Sequence, residues 1–256
     1  MKYTAKYFKD AMPEWKRKKD FWLARILFRE PSYYLSAICA NWGIGANTVS
    51  YFSAIVAIVG AICYLMPSYY AHVVGAFFVV FWSILDCVDG NLARSVKKQP
   101  FGVFADAISS YILVGIICMA MGVAVYHDGG AFVNKGRVVF IVLGALASSS
   151  DSLMRLIYQK YKNTEAELAR MGVLEISYDE RLDINQTTSW KVRIESWFGI
   201  DGVLNVAIFV ATILNALDIV VIYCLFYFGG AFIYSVINMV KKAVKLSLLY
   251  SEKMPQ

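Results

Sequence analysis

Charged residues are scarce in this chain, and histidine is almost missing. Only 17% of its 256 residues are charged, whereas 59% are hydrophobic. A soluble domain normally carries about 25% charged residues, so this composition excludes an ordinary soluble fold. Two histidines, and five cysteines without the spacing of metal ligands, argue against a zinc site. We expect the cysteines to be free thiols.

Apolar runs of about 20 residues recur along the chain, and a helix of that length crosses a bilayer. The sequence therefore predicts an all-α, polytopic membrane protein with six transmembrane helices. The predicted spans are 47–65, 70–92, 101–126, 137–161, 200–217 and 219–240. Asn47 is the predicted N-cap of the first span. The small residues at 144–150 predict close packing between helices or a dimer contact.

The first 30 residues are basic and carry aromatic side chains at regular intervals. Phe8, Trp15 and Trp22 are seven residues apart. This spacing favours an N-terminal amphipathic helix that lies in the membrane interface and ends at Pro31. The alternative is an ordinary cytoplasmic extension with a solvated run of charge.

The remaining chain divides by polarity. Residues 31–245 are predicted to form the membrane domain, within which 162–199 are a polar cytoplasmic insert. Residues 246–256 are predicted to be a cytoplasmic tail. Thr164 and Glu167 resemble a capping box, which predicts that a short helix begins in the insert.

Basic residues predict the orientation of the chain in the membrane. With six spans, every lysine and arginine except Lys135 and Arg137 falls on the side of the two termini. The positive-inside rule therefore places both termini in the cytoplasm, in the inner or plasma membrane if the cell is prokaryotic. Asn185 begins a glycosylation sequon, which must stay bare on that side. Because the basic residues flank apolar runs, the net charge of +6 requires no nucleic-acid partner.

Three carboxylates lie where the second apolar run ends and the third begins. Asp86 and Asp89 are three residues apart, so they share a face of a helix. Gly102, Asp106 and Ser110 recur every four residues on the next helix. Because the loop between them is short, the two helices are antiparallel neighbours and the carboxylates can converge. Charges at a membrane boundary are costly and usually functional.

The residue types in this stretch predict a ligand. Clustered carboxylate oxygens suit Mg²⁺ or Mn²⁺. Gly90 and Gly102 let a bulky ligand approach the backbone, and Arg94 can neutralise a phosphate. The combination favours a metal-bound diphosphate. The alternative is an ion-pair network at the helix end, formed by Arg94 with Asp86 and Asp89.

The same stretch resembles the signature of the CDP-alcohol phosphotransferases, also called CDP-alcohol phosphatidyltransferases. That signature is Asp-x2-Asp-Gly-x2-Ala-Arg-x(7–9)-Gly-x3-Asp-x3-Asp, and seven of its eight fixed residues match. The matching residues are Asp86, Asp89, Gly90, Ala93, Arg94, Gly102 and Asp106. The six spans, the interfacial helix and the segment 45–50, which is similar to the family's Thr-Pro-Asn-x-x-Thr, extend the resemblance over most of the chain.

The resemblance implies a reaction and its site. An acceptor hydroxyl attacks the β-phosphate of a CDP-linked alcohol, of which CDP-diacylglycerol is one example, and CMP leaves. Such transfer serves the biosynthesis of phospholipids or related glycoconjugates. The implied ligands of Mg²⁺ or Mn²⁺ are Asp86, Asp89 and Asp106. The implied CDP contacts are these three aspartates with Gly90, Ala93, Arg94 and Gly102. The resemblance also implies a homodimer and a cavity open to the cytoplasm.

The chain departs from the family at Ser110, where the family has its fourth aspartate. In the family that aspartate helps to hold a second metal and is the proposed general base. Serine carries no charge and is no base near neutral pH, and loss of a general base costs roughly 10²–10⁴ in rate. Three interpretations stay open. Another carboxylate takes over, or the protein binds nucleotide with little catalysis, or the serine is an engineered change.

Asp151 is the carboxylate that a depth estimate favours as a replacement. At 1.5 Å per residue, Ser110 and Asp151 both lie roughly 13 Å from the same membrane surface. The alternative, which the spacing favours, is an ion pair between Asp151 and Arg155 within one helix. Arg155 is also the candidate site for an acceptor phosphate or carboxylate. Lys160 and Arg193 are weaker candidates, because positive-inside charge explains them.

Three functions fit these patterns. The leading hypothesis is a metal-dependent CDP-alcohol phosphotransferase with its site at the cytoplasmic face. The second is a CDP-binding membrane protein of the same fold that has impaired or lost catalysis and acts as a partner or scaffold. A transporter fits less well, because transporter sites lie near mid-depth and these acids cluster toward one face.

Overall fold

The computed structural model describes residues 2–173 and 197–250. Helices are the regular elements throughout the described residues, which confirms the all-α class. The N-terminal segment contains α1 (Ala5–Asp10), α2 (Glu14–Lys19), α3 (Trp22–Ala24) and α4 (Glu30–Asn41), with a π-helical turn, Arg25–Arg29, between the last two. The bundle contains α5 (Ala46–Leu65), α6 (Tyr69–Ser95), α7 (Gly102–Asp128), α8 (Val139–Arg170), α9 (Asn205–Ile213) and α10 (Leu217–Tyr250).

Five helices in the described part of the chain are long and apolar enough to cross a membrane. They are α5, α6, α7, α8 and α10. The polytopic class is therefore confirmed. The segment predicted as the fifth span is a shorter apolar helix, Gly202–Ile213, which begins in a π-helical turn. It ends before Asn215, whose φ of 51° belongs to a tight turn.

The insert begins differently from its predicted pattern. Thr164 lies inside α8 rather than at the start of a new helix, and its Oγ1 donates to the carbonyl oxygen of Lys160 (3.0 Å). The capping-box prediction is therefore wrong, because α8 continues without a break to Arg170. At the other end of the chain, α10 continues to Tyr250, ten residues beyond the predicted end of the last span.

The N-terminal segment is broken into short helices instead of one. Pro31 ends no helix, because it lies in the first turn of α4, where its missing N–H is not needed. Phe8 is 1% exposed and packs into the main core, whereas Trp22 is 61% exposed. The three aromatic residues therefore do not share one environment. The interfacial position of this segment stays a prediction.

Helices α7 and α8 cross in backbone contact. A Cβ atom on Gly122 would overlap the carbonyl group of Phe140, and one on Gly144 would overlap that of Cys118. Next to this crossing, Ser148 Oγ donates to the carbonyl oxygen of Val114 (3.0 Å). Small residues permit this approach, so the packing role predicted for 144–150 is confirmed.

The end of the bundle where α6 begins and α7 ends contains a polar cluster. His72 Nδ1 lies 2.8 Å from Asp128 Oδ2, and its Nε2 lies 2.6 Å from the carbonyl oxygen of Met66. At the start of α10, Asp218 is fully buried and accepts hydrogen bonds from two backbone N–H groups, those of Ala131 and Phe132 (2.9 and 2.8 Å). Polar groups at this end are thus bonded within the protein.

Candidate active site

The opposite end of the bundle encloses a cavity of about 1310 Å³. It lies where α5 begins, α6 ends and α7 begins, and α8 and α10 complete its wall. All the predicted metal, nucleotide and catalytic residues line it, and so does Arg155 of the acceptor candidates. These residues are Asp86, Asp89, Gly90, Ala93, Arg94, Gly102, Asp106, Ser110, Asp151 and Arg155. The structure therefore brings both halves of the motif and the two α8 candidates to one place.

Three carboxylates converge on this cavity from two helices. Asp86 and Asp89 belong to α6 and Asp106 to α7, and one ligand oxygen of each lies within 4.8 Å of the others. Asp89 is buried, Asp86 is half-buried and Asp106 is exposed. Because all the donors are carboxylate oxygens, the set suits a hard cation such as Mg²⁺ or Mn²⁺ better than zinc, which prefers His and Cys.

A buried chain of hydrogen bonds orients Asp89. Ser50 Oγ donates to Asp89 Oδ2 (2.6 Å), and Ser53 Oγ donates to the carbonyl oxygen of Ser50 (2.8 Å). Ser109 Oγ lies 2.5 Å from Ser53 Oγ and accepts from Trp82 Nε1 (2.8 Å). These bonds fix the orientation of the carboxylate before a ligand arrives. Sequence analysis noted the segment that contains Ser50 but not this contact.

The loop between α6 and α7 is fixed to the start of α5. Gln99 Oε1 accepts from the backbone N–H of Asn47 (2.9 Å), and Asn47 Nδ2 donates to the carbonyl oxygen of Pro100 (2.8 Å). The helix is thus capped by Gln99, and the prediction that Asn47 is its N-cap is wrong, since Gly45 occupies that position. Among the described residues, Asn47 Oδ1 is buried without a hydrogen-bond partner, near Gly102.

Arg94 lies at the rim of the cavity. Its Nη2 donates to Asn91 Oδ1 (3.2 Å). A Cβ atom on Gly90 would lie 2.9 Å from Arg94 Nη1, so the glycine makes room for the folded guanidinium. The ion pairs found within the described residues do not include Arg94. The alternative of a helix-end network of Arg94 with Asp86 and Asp89 stays a prediction.

Ser110 and Asp151 lie on facing helices of the same cavity. Ser110 Oγ donates to the carbonyl oxygen of Ala107 (3.1 Å). Asp151 is 2% exposed and its Oδ2 lies 2.5 Å from Arg155 Nε. The guanidinium of Arg155 also lies 4.7 Å from the ring centroid of Tyr111. The ion pair with Arg155, which was the alternative role predicted for Asp151, is therefore present. Lys160 does not line the cavity.

Two predictions fall on residues 174–196, which lie outside the described residues. They are the acceptor role of Arg193 and the bare sequon at Asn185. Both stay predictions.

One wall of the cavity was not predictable from the sequence. Lys16, on the short helix α2, lines it beside Arg94. Burial lowers the pKa of the Lys16 ammonium, and the charges of Arg29 and Arg94 act in the same direction. One lysine in a basic N-terminal segment carries no distinguishing signal in the sequence. Only the tertiary structure could single it out.

Comparison with known proteins identifies the family. Comparison with curated proteins gives no match. A family model, CDP-alcohol phosphatidyltransferase, matches residues 44–239. The match spans more than half of the chain and includes the three converging carboxylates. The chain therefore belongs to the CDP-alcohol phosphatidyltransferase family.

Proposed function

We propose that the protein is a metal-dependent transferase that moves a substituted phosphate group from a CDP-linked alcohol to the hydroxyl of an acceptor alcohol and releases CMP. The reaction class follows from the family. The observation that carries the proposal is the convergence of Asp86, Asp89 and Asp106 within 4.8 Å on one cavity. Donors of the proposed class include lipid-linked CDP-diacylglycerol, which would place the protein in phospholipid or related glycoconjugate biosynthesis.

Different residues of the cavity bind different parts of the donor. Asp86, Asp89 and Asp106 would hold Mg²⁺ or Mn²⁺, which supplies charge neutralisation on the diphosphate and on the leaving oxygen. Ser50 keeps the Asp89 carboxylate oriented through its 2.6 Å hydrogen bond. Arg94, which is charged at all relevant pH values, offers its guanidinium to a phosphate.

The same α6 and α7 segments supply the surface for the nucleotide. Gly90, Ala93 and Gly102 present a wall with little side-chain bulk in the cavity. We propose that the cytidine nucleotide lies against this wall. In the transfer itself, a bond forms between the acceptor oxygen and the β-phosphorus. The bond between that phosphorus and the bridging oxygen breaks, and the bridging oxygen leaves with CMP.

The acceptor hydroxyl must also lose its proton, and the family position for that task is occupied by Ser110. Asp151 is the proposed substitute, because it is a buried carboxylate on the wall of the same cavity. Its ion pair with Arg155 is the competing role. We propose Arg155 as the group that faces an acceptor phosphate or carboxylate, since its guanidinium lines the cavity next to Asp151.

We also propose that the cavity and both termini face the cytoplasm. The proposal is supported by the distribution of basic residues, of which only Lys135 and Arg137 fall on the other side. A homodimer is included in the proposal, because the family resemblance implies one. Both statements are open to direct test by accessibility labelling and by mass measurement of the protein in a lipid nanodisc.

The alternative function is CDP binding with impaired or lost catalysis, in which the protein acts as a partner or scaffold. Ser110 favours it, because a neutral hydroxyl at the position of the family's general base is no base near neutral pH. The metal and nucleotide residues are intact in both functions. Binding alone therefore cannot separate the two, and turnover must be measured.

The experiment that tests the proposal is a transfer assay with the purified protein in nanodiscs. CDP-diacylglycerol and CDP-ethanolamine serve as labelled donors with Mg²⁺, and the acceptors are glycerol phosphate, inositol phosphate, serine and diacylglycerol. We expect CMP release with one donor–acceptor pair and none after chelation of the metal. CDP binding without CMP release from any pair would support the alternative function instead.

Two substitutions identify the base. If Asp151 replaces the missing aspartate, Asp151→Asn lowers the rate of CMP release by about 10²–10⁴. If it only pairs with Arg155, the substitution lowers the stability of the protein, as removal of one partner of a buried pair predicts, while the rate per folded molecule stays within about threefold of the wild type. Ser110→Asp restores the family's residue, and a large gain in rate would show that the wild type is impaired. Ser110→Ala is the matched control, because it changes size without adding a base.

A further inference from the structure

Lys16 is a basic residue on the wall of the cavity. It lines the cavity together with Asp86, Gly90 and Arg94, although it belongs to the N-terminal segment and not to the signature. In the part of the chain that the structure describes, its ammonium makes no hydrogen bond and no ion pair within 4.0 Å. An ammonium group has three N–H donors. Those of Lys16 are therefore available to water or to a ligand in the cavity.

The position of Lys16 is fixed by contacts on both sides. Before it, Met12 is 7% exposed in the main core. After it, Asp20 ends α2 and pairs with Arg29 of the following helix (2.8 Å). Arg17, the next residue, donates to the carbonyl oxygen of Lys9. The ammonium therefore belongs to an anchored helix rather than to a freely moving extension.

The charges around Lys16 indicate the kind of ligand. Lys16 lies within electrostatic reach of two cations, Arg29 and Arg94. Their effect on its pKa is larger than that of the carboxylates of Asp86 and Asp20. The charge of Arg29 is balanced by Asp20, whereas Lys16 and Arg94 both face the cavity. Two cations that face one cavity favour an anion between them. The adjacent carboxylates would be balanced by the metal ion that the site fits.

We propose that Lys16 binds the diphosphate of the CDP-linked donor together with Arg94. The inference rests on the proposed function and adds to it a phosphate contact from outside the signature. It assigns the N-terminal segment a direct part in donor recognition. Cytidine itself lacks the diphosphate, so Lys16 should discriminate between the nucleoside diphosphate and the nucleoside.

The test compares CDP with cytidine on the full-length protein in nanodiscs with Mg²⁺, by calorimetry for CDP and by competition for cytidine. Lys16→Met removes the charge and keeps the length of the side chain. We expect CDP to bind about tenfold more weakly, as loss of one charged hydrogen bond predicts, while cytidine binding is unchanged. Lys16→Arg should restore CDP binding to within about threefold, since it keeps the charge.

Lys6→Met is the matched control, because Lys6 is an exposed lysine of the same segment that does not line the cavity. It should leave both affinities unchanged. Equal CDP binding by Lys16→Met and the wild type overturns the inference. An equal loss of CDP and cytidine binding also overturns it, because that result shows a structural role. Failure of the wild type to bind CDP overturns the proposed function itself, so the two failures are distinguishable.

Discussion

The two ends of the helix bundle surround their aspartates differently. At the end away from the cavity, Asp128 contacts His72, and Asp218 accepts two backbone hydrogen bonds. At the cavity end, carboxylates from α6 and α7 approach one another within 4.8 Å. Carboxylates that face donors stabilise the fold, whereas carboxylates that face each other raise the energy of the site unless a cation joins them.

This comparison separates structural acids from site acids without reference to sequence motifs. Both ends have aspartates at helix termini, and both include buried ones, such as Asp89 and Asp218. Burial is therefore not what marks the site. The distinguishing feature is what surrounds each carboxylate. Asp218 faces two backbone N–H groups, whereas Asp89 faces other carboxylates in addition to the Ser50 hydroxyl. The two ends should respond to substitution in opposite ways.

The largest effect is expected from Asp89→Asn. The amide keeps the shape of the side chain and can still accept the hydrogen bond from Ser50, but it removes a negative charge from the metal set. We expect CMP release to fall by roughly a thousandfold or more, since the metal provides several kcal/mol of charge stabilisation. Thermal stability should not fall, because fewer like charges then face each other.

The matched control is Asp10→Asn, which removes the charge of an exposed aspartate at the end of α1. It should leave transfer unchanged. Wild-type activity in Asp89→Asn would remove the distinction between the two ends of the bundle.

Asp218→Ala is expected to give the converse result. Two backbone N–H groups, those of Ala131 and Phe132, would lose a charged acceptor in a fully buried position. The cost is about 3 kcal/mol of stability. The midpoint of unfolding in detergent should fall, while CMP release per folded molecule stays at the wild-type value. The unfolding midpoint of Asp218→Asn should lie between those of Asp218→Ala and the wild type, because the amide keeps one acceptor oxygen. A variant that stays stable but loses turnover would contradict the structural role.

The smallest effect is expected from Ser50→Ala. This change removes the hydrogen bond to Asp89 and costs about 1 kcal/mol. Because the bond orients a metal ligand, we expect the Mg²⁺ concentration for half-maximal transfer to rise about fivefold, with little change at saturating metal. Ser50→Thr keeps the hydroxyl and should behave like the wild type. An unchanged metal requirement in Ser50→Ala would show that Asp89 needs no such support.

Much of the site was predictable from spacing along the chain. The three-residue step between Asp86 and Asp89, and the four-residue step between Gly102 and Asp106, place side chains on one face of a helix. A short loop then forces the two faces together. The ion pair of Asp151 with Arg155 follows from the same local rule.

Contacts between distant segments were not predictable. Gln99 caps α5 by accepting a hydrogen bond from the backbone N–H of Asn47, which lies 52 residues earlier in the chain. The residues next to Gln99 and to Asn47 do not indicate this contact. Phe8 is buried by protein, although its spacing suits a lipid-facing helix. The spacing of apolar residues cannot show whether protein or lipid covers them. The helix Gly202–Ile213 falls short of a full span, because a π-helical turn, Ile200–Leu204, occupies the start of the apolar run.

The backbone contact between α7 and α8 limits how far the cavity can contract. At Gly122 and Gly144 the two helices have no side chain between them, so neither can move closer to the other without a backbone clash. The cavity therefore cannot contract at this crossing, and the side of the site that holds Ser110 and Asp151 has a fixed minimum width. A donor must fit its bulk against the other walls, which include Lys16 on the anchored helix α2.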